Sequence, residues 1–458
     1  MKRFIPFILF FASLQILAQS YQIGNISTTY VDPERNNRNI PTEIFYPASQ
    51  AGANVPVADG MFPVIVFGHG FVMVYSAYQY LWQALVPQGY IVVLPKTEGS
   101  FSPNHLNLGL DLAFLINKMK SEGMSESSVF YGKISANSAM MGHSMGGGAS
   151  FLGAASNPAV TTLVTFAAAE TNPSAIAAAA NVQAATLVFA GQNDCVTPPP
   201  QHQIPMYQAL QNEKKIMITI NGGGHCFFAD YNFFCSIGEG TCSPSPTITR
   251  EQQQQTVLSF LLPFFDFQLK GNFNSWQNFR NLLSSSQTIT YQDGWTNLPA
   301  QQGKLLNEGW NSLSYPVNPV EHTFKLQFAG LTEHIVRFTD YADISFSGED
   351  IPSNFFISPD EGYVLKMTQE AMLHYAGYEH ANKTYTLEEG WNILPVLSTT
   401  PADPALLFAA GIDHLVMVKE IAGNNLYWPE FNIQTLDELI PGNAYWVKVD
   451  QQITIEFE

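Results

Sequence analysis

One stretch constrains the fold of this chain more than any other: Ala139-Met140-Met141-Gly142-His143-Ser144-Met145-Gly146-Gly147-Gly148-Ala149. An apolar, strand-like run leads into it, and the small-residue run continuing to Ala155 leads out as a helix. Ser144 therefore stands where a strand turns sharply into a helix. Gly142 and Gly146, two residues before and two after the serine, remove side chains for which such a turn has no room. A serine presented in this way belongs at the carboxyl end of a strand within a sheet, and the rest of the first half of the chain supplies that sheet. Short runs rich in Val and Ile at 64–67, 90–94, 139–142, 162–166, 186–190 and 216–220 are separated by connections long enough to hold helices. The alternation predicts an α/β fold, a mostly parallel sheet with helices on both faces. Before it, 26–31 and 42–46 flank the turn-rich Asp32-Pro33-Glu34-Arg35-Asn36-Asn37 and read as an antiparallel hairpin at the sheet edge. Residues 252–270 read as a closing amphipathic helix despite Pro263.

A serine hydroxyl becomes a useful nucleophile only beside a base that an acid in turn orients. Both partners are expected on loops at the carboxyl ends of later strands, in the order serine, acid, histidine. Asp194 follows the run Thr186-Leu187-Val188-Phe189-Ala190-Gly191-Gln192-Asn193, and His225 follows Ile216-Met217-Ile218-Thr219-Ile220-Asn221-Gly222-Gly223-Gly224. Ser144, Asp194 and His225 are thus the expected nucleophile, acid and base, with Asp230 a competing acid and His202 and His143 competing bases. The oxyanion that forms on attack needs two backbone donors. The amide of Met145 is one, and the amide of Phe71, in the glycine-flanked loop Gly68-His69-Gly70-Phe71, is the other. The plainer reading of that loop is a turn made by Gly68 and Gly70 around a structural His69. The chemistry these residues predict is two-step acyl transfer to water, which requires no cofactor and no metal.

Lys2 and Arg3 precede the apolar run 4–17 and small residues surround Ala18, the pattern of a secretory signal peptide over residues 1–19. The run is short of the ~20 residues of a spanning helix, so a secreted or cell-surface protein is expected. The formal charge of −18 disfavours a nucleic-acid partner. An exported chain is free to oxidise its four cysteines, Cys195, Cys226, Cys235 and Cys242. Their gaps lack the paired close spacing of structural zinc sites, which leaves two disulfides as the expectation. Cys195 directly follows the acid and Cys226 the histidine, so a bond between them would staple the two loops, with Cys235 and Cys242 closing a small loop of their own.

The pattern divides the chain into a catalytic domain at 20–271, a linker at 272–300 and two β-rich repeats at 301–378 and 379–458. Leu306-Asn307-Glu308-Gly309-Trp310-Asn311 recurs 81 residues later as Leu387-Glu388-Glu389-Gly390-Trp391-Asn392. Tyr363-Val364-Leu365-Lys366 recurs as Tyr445-Trp446-Val447-Lys448, so whole modules are duplicated. Trp310 and Trp391 are expected inside small β cores; the other reading makes them stacking faces for a glycan or polymer. A tail of this kind also raises an alternative function, a surface adhesin whose hydrolase domain no longer works.

The segments around Ser144, Asp194 and His225, together with Tyr131-Gly132-Lys133-Ile134, resemble the cutinase and polyester-hydrolase branch of the α/β-hydrolases, which includes enzymes acting on polyethylene terephthalate. The resemblance spans residues 63–270. Residues 32–48 are similar to platelet-activating-factor acetylhydrolase and chlorophyllase-like esterases, and the tail resembles modules appended to secreted proteins of Bacteroidetes. The resemblance implies the α/β-hydrolase fold, a monomeric serine esterase or lipase acting on small esters, lipids or polyesters, the triad Ser144, Asp194 and His225, and oxyanion donors at Phe71 and Met145. A serine peptidase or a dienelactone-type hydrolase is the neighbouring alternative. One departure bears on substrate: where polyester hydrolases carry a clamping tryptophan, this chain reads Ala167-Ala168-Ala169-Glu170-Thr171-Asn172.

Overall fold

The computed structural model describes residues 20–339, 345–348, 350–352 and 355–458; the expected signal peptide lies outside them. The first part is built on a ten-stranded sheet. Its strands are β1 (Gln22–Asp32), β2 (Arg38–Ala48), β3 (Gly52–Ala53), β4 (Phe62–Gly68), β5 (Ile91–Pro95), β6 (Ile134–His143), β7 (Thr162–Phe166), β8 (Ala185–Gly191), β9 (Lys215–Ile220) and β10 (Ile289–Asp293). In space they run β10-β9-β8-β7-β6-β4-β5-β2-β1-β3. The six from β4 to β9 are mutually parallel, and β2 and β10 join antiparallel at either side. The helices of this part are α1 (Gln79–Leu85), α2 (His105–Met124), α3 (Met145–Ser156), α4 (Ala175–Ala179), α5 (Gln203–Ala209), α6 (Phe233–Glu239), α7 (Arg250–Lys270) and α8 (Phe273–Ser285). Two apolar clusters, one on each face of the sheet, separate the strand residues by parity: Ile65, Phe67, Val92 and Leu94 face one way, Val64, Val66, Ile91 and Val93 the other. The architecture is the α/β-hydrolase one, and the strand, hairpin and closing-helix expectations all fall on elements of this sheet and its cover.

The expected linker at 272–300 is a correction. Its first half is α8, and its second supplies β10, which pairs with β9 from Ile289 opposite Ile220 to Asp293 opposite Ile216. Trp276, Phe279 and Leu283 lie three and four residues apart on one face of α8 and pack with Phe260, Phe264 and Phe267 of α7 in the main core. The abundance of Asn, Ser and Gln around them gave the segment its linker-like composition, while the apolar stripe fixed it to the sheet. Helix α7 begins in a capping box, Thr249 Oγ1 accepting from the Gln252 amide and Gln252 Oε1 accepting from the Thr249 amide, and Gly271 ends it at φ 71°.

After residue 299 the chain forms two modules with the same pairing scheme. In the first, Ala300–Leu306 pairs with Ala371–Tyr378, and Gly309–Leu313 pairs with Tyr363–Met367, which also pairs with Ile335–Thr339. In the second, Thr384–Leu387 pairs with Ile453–Glu456, and Gly390–Pro395 pairs with Ala444–Val449, which also pairs with Leu415–Glu420. Each has its own apolar core. The repeated Gly-Trp-Asn has a partly structural cause. Gly309 and Gly390 turn at φ 91° and 104°, and Asn311 and Asn392 close the turns, each side-chain amide bonding the backbone four residues earlier on both its oxygen and its nitrogen. The tryptophans do not fill the cores: Trp310 is 47% and Trp391 53% exposed, each under a cross-strand lysine, Lys366 or Lys448. The strand alternation that buries Leu313 and Leu365 turns Trp310 to the opposite face.

The first module docks on the start of β6. The Ala136 amide donates to Thr323 Oγ1 and the Asn137 side chain to the Val320 carbonyl, while Tyr378 meets Phe267 edge to face. Beside this seam Glu321 is buried, one carboxylate oxygen accepting from the Thr323 amide and the other without a partner. Burial pushes its carboxyl up to about 7. The folded state thus holds a proton that the unfolded chain releases near pH ~4.3, so Glu321 costs stability progressively as pH rises from that value through about 7. Glu321→Gln is expected to melt above the wild type at pH 8.5 and to lose that advantage at pH 4.5, as read by thermal denaturation at both values.

The corrected boundary makes a second prediction. Trp276, Phe279 and Leu283 each contribute about 1.5–3 kcal/mol by burial, a sum comparable with the whole ~5–15 kcal/mol stability of a domain. A chain ended at residue 272 is therefore expected to aggregate or melt early, whereas one ended at 299, which keeps α8 and β10, folds. Sedimentation and thermal melts of the two truncations check this.

Candidate active site

Ser144 sits at φ 57° and ψ −121°, between the last residue of β6 and the first of α3. Its amide donates to the Phe166 carbonyl at 2.9 Å, and its own carbonyl accepts from the Ala169 amide at 2.8 Å. This left-handed backbone is held by crowding on both sides. A Cβ on Gly142 would lie 2.2 Å from the Gly146 carbonyl oxygen, and one on Gly146 would lie 2.1 Å from that of Gly68. Glycine at these positions is a steric requirement.

The structure brings the three expected residues together. Ser144 Oγ lies 2.9 Å from His225 Nε2, and His225 Nδ1 lies 2.8 Å from Asp194 Oδ2. The His225 and Asp194 side chains are shielded from solvent almost completely. Asp194 Oδ1 accepts from the amides of Val196 and Thr197, each at 2.8 Å, and Oδ2 lies 2.9 Å from Thr197 Oγ1. A carboxylate held by these donors is placed to accept Nδ1–H of the imidazole and leave Nε2 to accept the serine proton. The competing residues are elsewhere. Asp230 accepts from the Tyr80 amide at the start of α1 and from Gln254; His202 Nδ1 accepts from the Glu170 amide.

His143 is engaged, but not as a base. Its Nε2 lies 3.1 Å from the His225 carbonyl oxygen and its Nδ1 2.9 Å from the Tyr78 hydroxyl, which accepts from the Gly70 amide at 2.8 Å. Burial holds the His143 imidazole well below the usual histidine range and pushes the Tyr78 hydroxyl up. A neutral ring donating from Nε2 and accepting on Nδ1 fits both contacts. A hydrogen-bond chain thus runs from the loop carrying Phe71, through Tyr78 and His143, to the backbone of the base.

His69 is a structural residue: its Nδ1 and Nε2 face the carbonyl oxygens of Gly70 and Thr97, each at 2.8 Å. Phe71 follows in the same loop, which the close approach of Gly68 to Gly146 sets against the first turn of α3. Met145 is the first residue of α3, so its amide has no acceptor within the helix. Met145 thus directly follows the serine, and Phe71 lies in the loop packed against the same turn of α3.

Several contributors carried no sequence signal. Thr197 bridges Asp194 and the Ala167 carbonyl. Gln253, buried within a run of glutamines that looks solvent-facing, clamps Gly224 by donating to its carbonyl and accepting from its amide, each at 2.9 Å. The cysteine pairing differs from expectation: Cys195 bonds Cys242 and Cys226 bonds Cys235. The acid and base loops meet through the Asp194 and His225 side chains, and α6 and the coil after it bond to the cysteine that follows each. The start of α6 takes Cys226, and the coil beyond it takes Cys195. With all four thiols bonded to one another, none remains to ligate a metal.

Residues 39–239 match the family model described as PETase, PET hydrolase-like. The matched segment is similar to that family, on the cutinase and polyester-hydrolase branch, and the similarity supports a hydrolase of the esterase type. A search of curated proteins found no match to the chain.

The geometry separates the two candidate acids. Asp194→Asn is expected to lower kcat on a soluble ester by roughly 10³ to 10⁴, since it favours the wrong imidazole tautomer, while Asp230→Asn stays within tenfold of the wild type. Steady-state kinetics of the two variants, with circular dichroism to verify folding, provide the comparison.

Proposed function

We propose that this PET hydrolase-like chain is an exported serine esterase that hydrolyses carboxylic esters through an acyl-enzyme. The observation that carries the reading is the 2.9 Å contact between Ser144 Oγ and His225 Nε2, with Asp194 on the far ring nitrogen. Ser144 Oγ attacks the ester carbonyl carbon as its proton passes to His225 Nε2. The tetrahedral oxyanion is held by the amides of Met145 and Phe71. Collapse expels the alcohol, which takes the proton from His225, and leaves the acyl group on Ser144. Water then enters, gives its proton to His225 and attacks the acyl carbon. Collapse of the second tetrahedral species returns the proton to Ser144 and releases the acid.

Export is supported by two disulfides near the site and by the basic and apolar pattern of residues 1–19; among the described residues no helix is long and apolar enough to cross a membrane. The complete hydrogen-bonded triad argues against an adhesin with a decayed hydrolase domain. Hydrolysis of p-nitrophenyl butyrate tests the reading. The wild type is expected to turn it over, and Ser144→Ala to lose at least about 10³-fold in kcat. Activity within tenfold in that variant would overturn the assignment.

A further inference from the structure

Helix α6 poses a question that folding alone does not answer. It is seven residues long, and its only buried residue is Glu239, whose carboxylate accepts from the Cys226 amide. Its large apolar side chains point outward: Phe233 is 61%, Phe234 52% and Ile237 57% exposed. A short helix that buries so little of its own apolar surface has little hydrophobic reason to dock. It is held instead by covalent bonds to both loops of the candidate site, Cys235 to Cys226 beside His225, and Cys242, just beyond its end, to Cys195 beside Asp194.

The exposed rings continue across the site. Phe233 meets Phe234 with centroids 5.7 Å apart, Phe234 meets Phe101 at 5.9 Å, and Phe101 meets Phe71 at 6.3 Å. Phe71 lies in the loop after β4, which packs through Gly68 against the first turn of α3 that follows Ser144, so the row of rings runs from that loop to the helix bolted beside His225. Phe101 is 73% exposed. A contiguous exposed aromatic surface of this kind marks a binding site, and here its helix is tethered to the residues that follow His225 and Asp194.

We infer that Phe101, Phe233 and Phe234 form a platform, fixed by the two disulfides, that binds the extended apolar chain of an ester while its carbonyl lies at Ser144. The inference rests on the esterase reading above and adds the substrate class: esters flanked by a long apolar chain, preferred over short ones. Because the helix carrying Phe233 and Phe234 is tethered before substrate arrives, its backbone adds little ordering cost to binding, and the platform's contribution falls on KM.

The test measures kcat/KM of the full chain on p-nitrophenyl decanoate and p-nitrophenyl butyrate, and takes the ratio. In the triple variant Phe101→Ala, Phe233→Ala, Phe234→Ala the decanoate-to-butyrate ratio is expected to fall at least tenfold, carried by a rise in the decanoate KM. Leu406→Ala, an exposed apolar residue of the second tail module, serves as control and should keep the wild-type ratio. These side chains are exposed, so folding is not at stake; circular dichroism verifies it, and Phe101→Leu, Phe233→Leu, Phe234→Leu, which keeps apolar bulk, should give an intermediate ratio. A ratio within twofold of the wild type in the triple alanine variant would overturn the inference and leave the esterase reading standing. Sedimentation showing a wild-type dimer that the triple variant breaks would overturn it in favour of a self-association face. No butyrate turnover by the wild type would overturn the esterase reading, and the inference with it.

Discussion

The active site depends on two backbones passing at contact distance. The end of β4 and the first turn of α3 meet where a single added carbon on Gly146 would lie 2.1 Å from the Gly68 carbonyl oxygen. That approach accompanies the positive φ of Ser144 at the tip of the β6 to α3 turn. It also places the loop carrying Phe71 against the amide end of α3, so the proposed nucleophile and oxyanion donors depend on one packing contact. The hydrogen bonds from Gly70 through Tyr78 and His143 to the backbone of His225 extend the constraint to the base. The triad is then one end of a connected backbone arrangement, which side-chain reach alone would not hold.

The residues that the proposed mechanism uses could be picked out in the sequence because each sits where a periodic apolar run stops. Strands announce themselves by composition, and the loops at their ends must hold the polar residues the fold does not need; Ser144, Asp194 and His225 all follow such runs. What supports them was not legible. Thr197, Gln253 and Tyr78 are ordinary polar residues whose roles come from distant partners, and nothing local distinguishes Gln253 from its neighbours Gln252 and Gln254. The cysteine pairing misled for a related reason. Adjacency to Asp194 and His225 suggested a direct bond, but each cysteine instead bonds one later in the chain, Cys226 to Cys235 in α6 and Cys195 to Cys242 just beyond it.

The boundary of the catalytic part and the place of the tail tryptophans show two further limits of composition. Residues 273–293 are rich in Asn, Ser and Gln, yet the spacing of Trp276, Phe279 and Leu283 outweighs that, because burying one helical stripe is worth more than the solvation of the other face. In the modules, Gly309 and Asn311 recur at Gly390 and Asn392 for reasons of turn geometry, whereas Trp310 and Trp391 recur without entering either core. The duplicated topology, the same strand pairings in the same order, accounts for the glycine and the asparagine but not for the exposed rings.

The central claim is that Ser144, activated by His225, is the nucleophile of the molecule. Treating the full chain with an alkyl fluorophosphonate and mapping the product by peptide mass spectrometry tests it directly. The account predicts a single phosphonyl group on the peptide containing Ser144 in the wild type and none at that serine in His225→Ala. A phosphonyl group on a different residue, or undiminished labelling of Ser144 without His225, would contradict it.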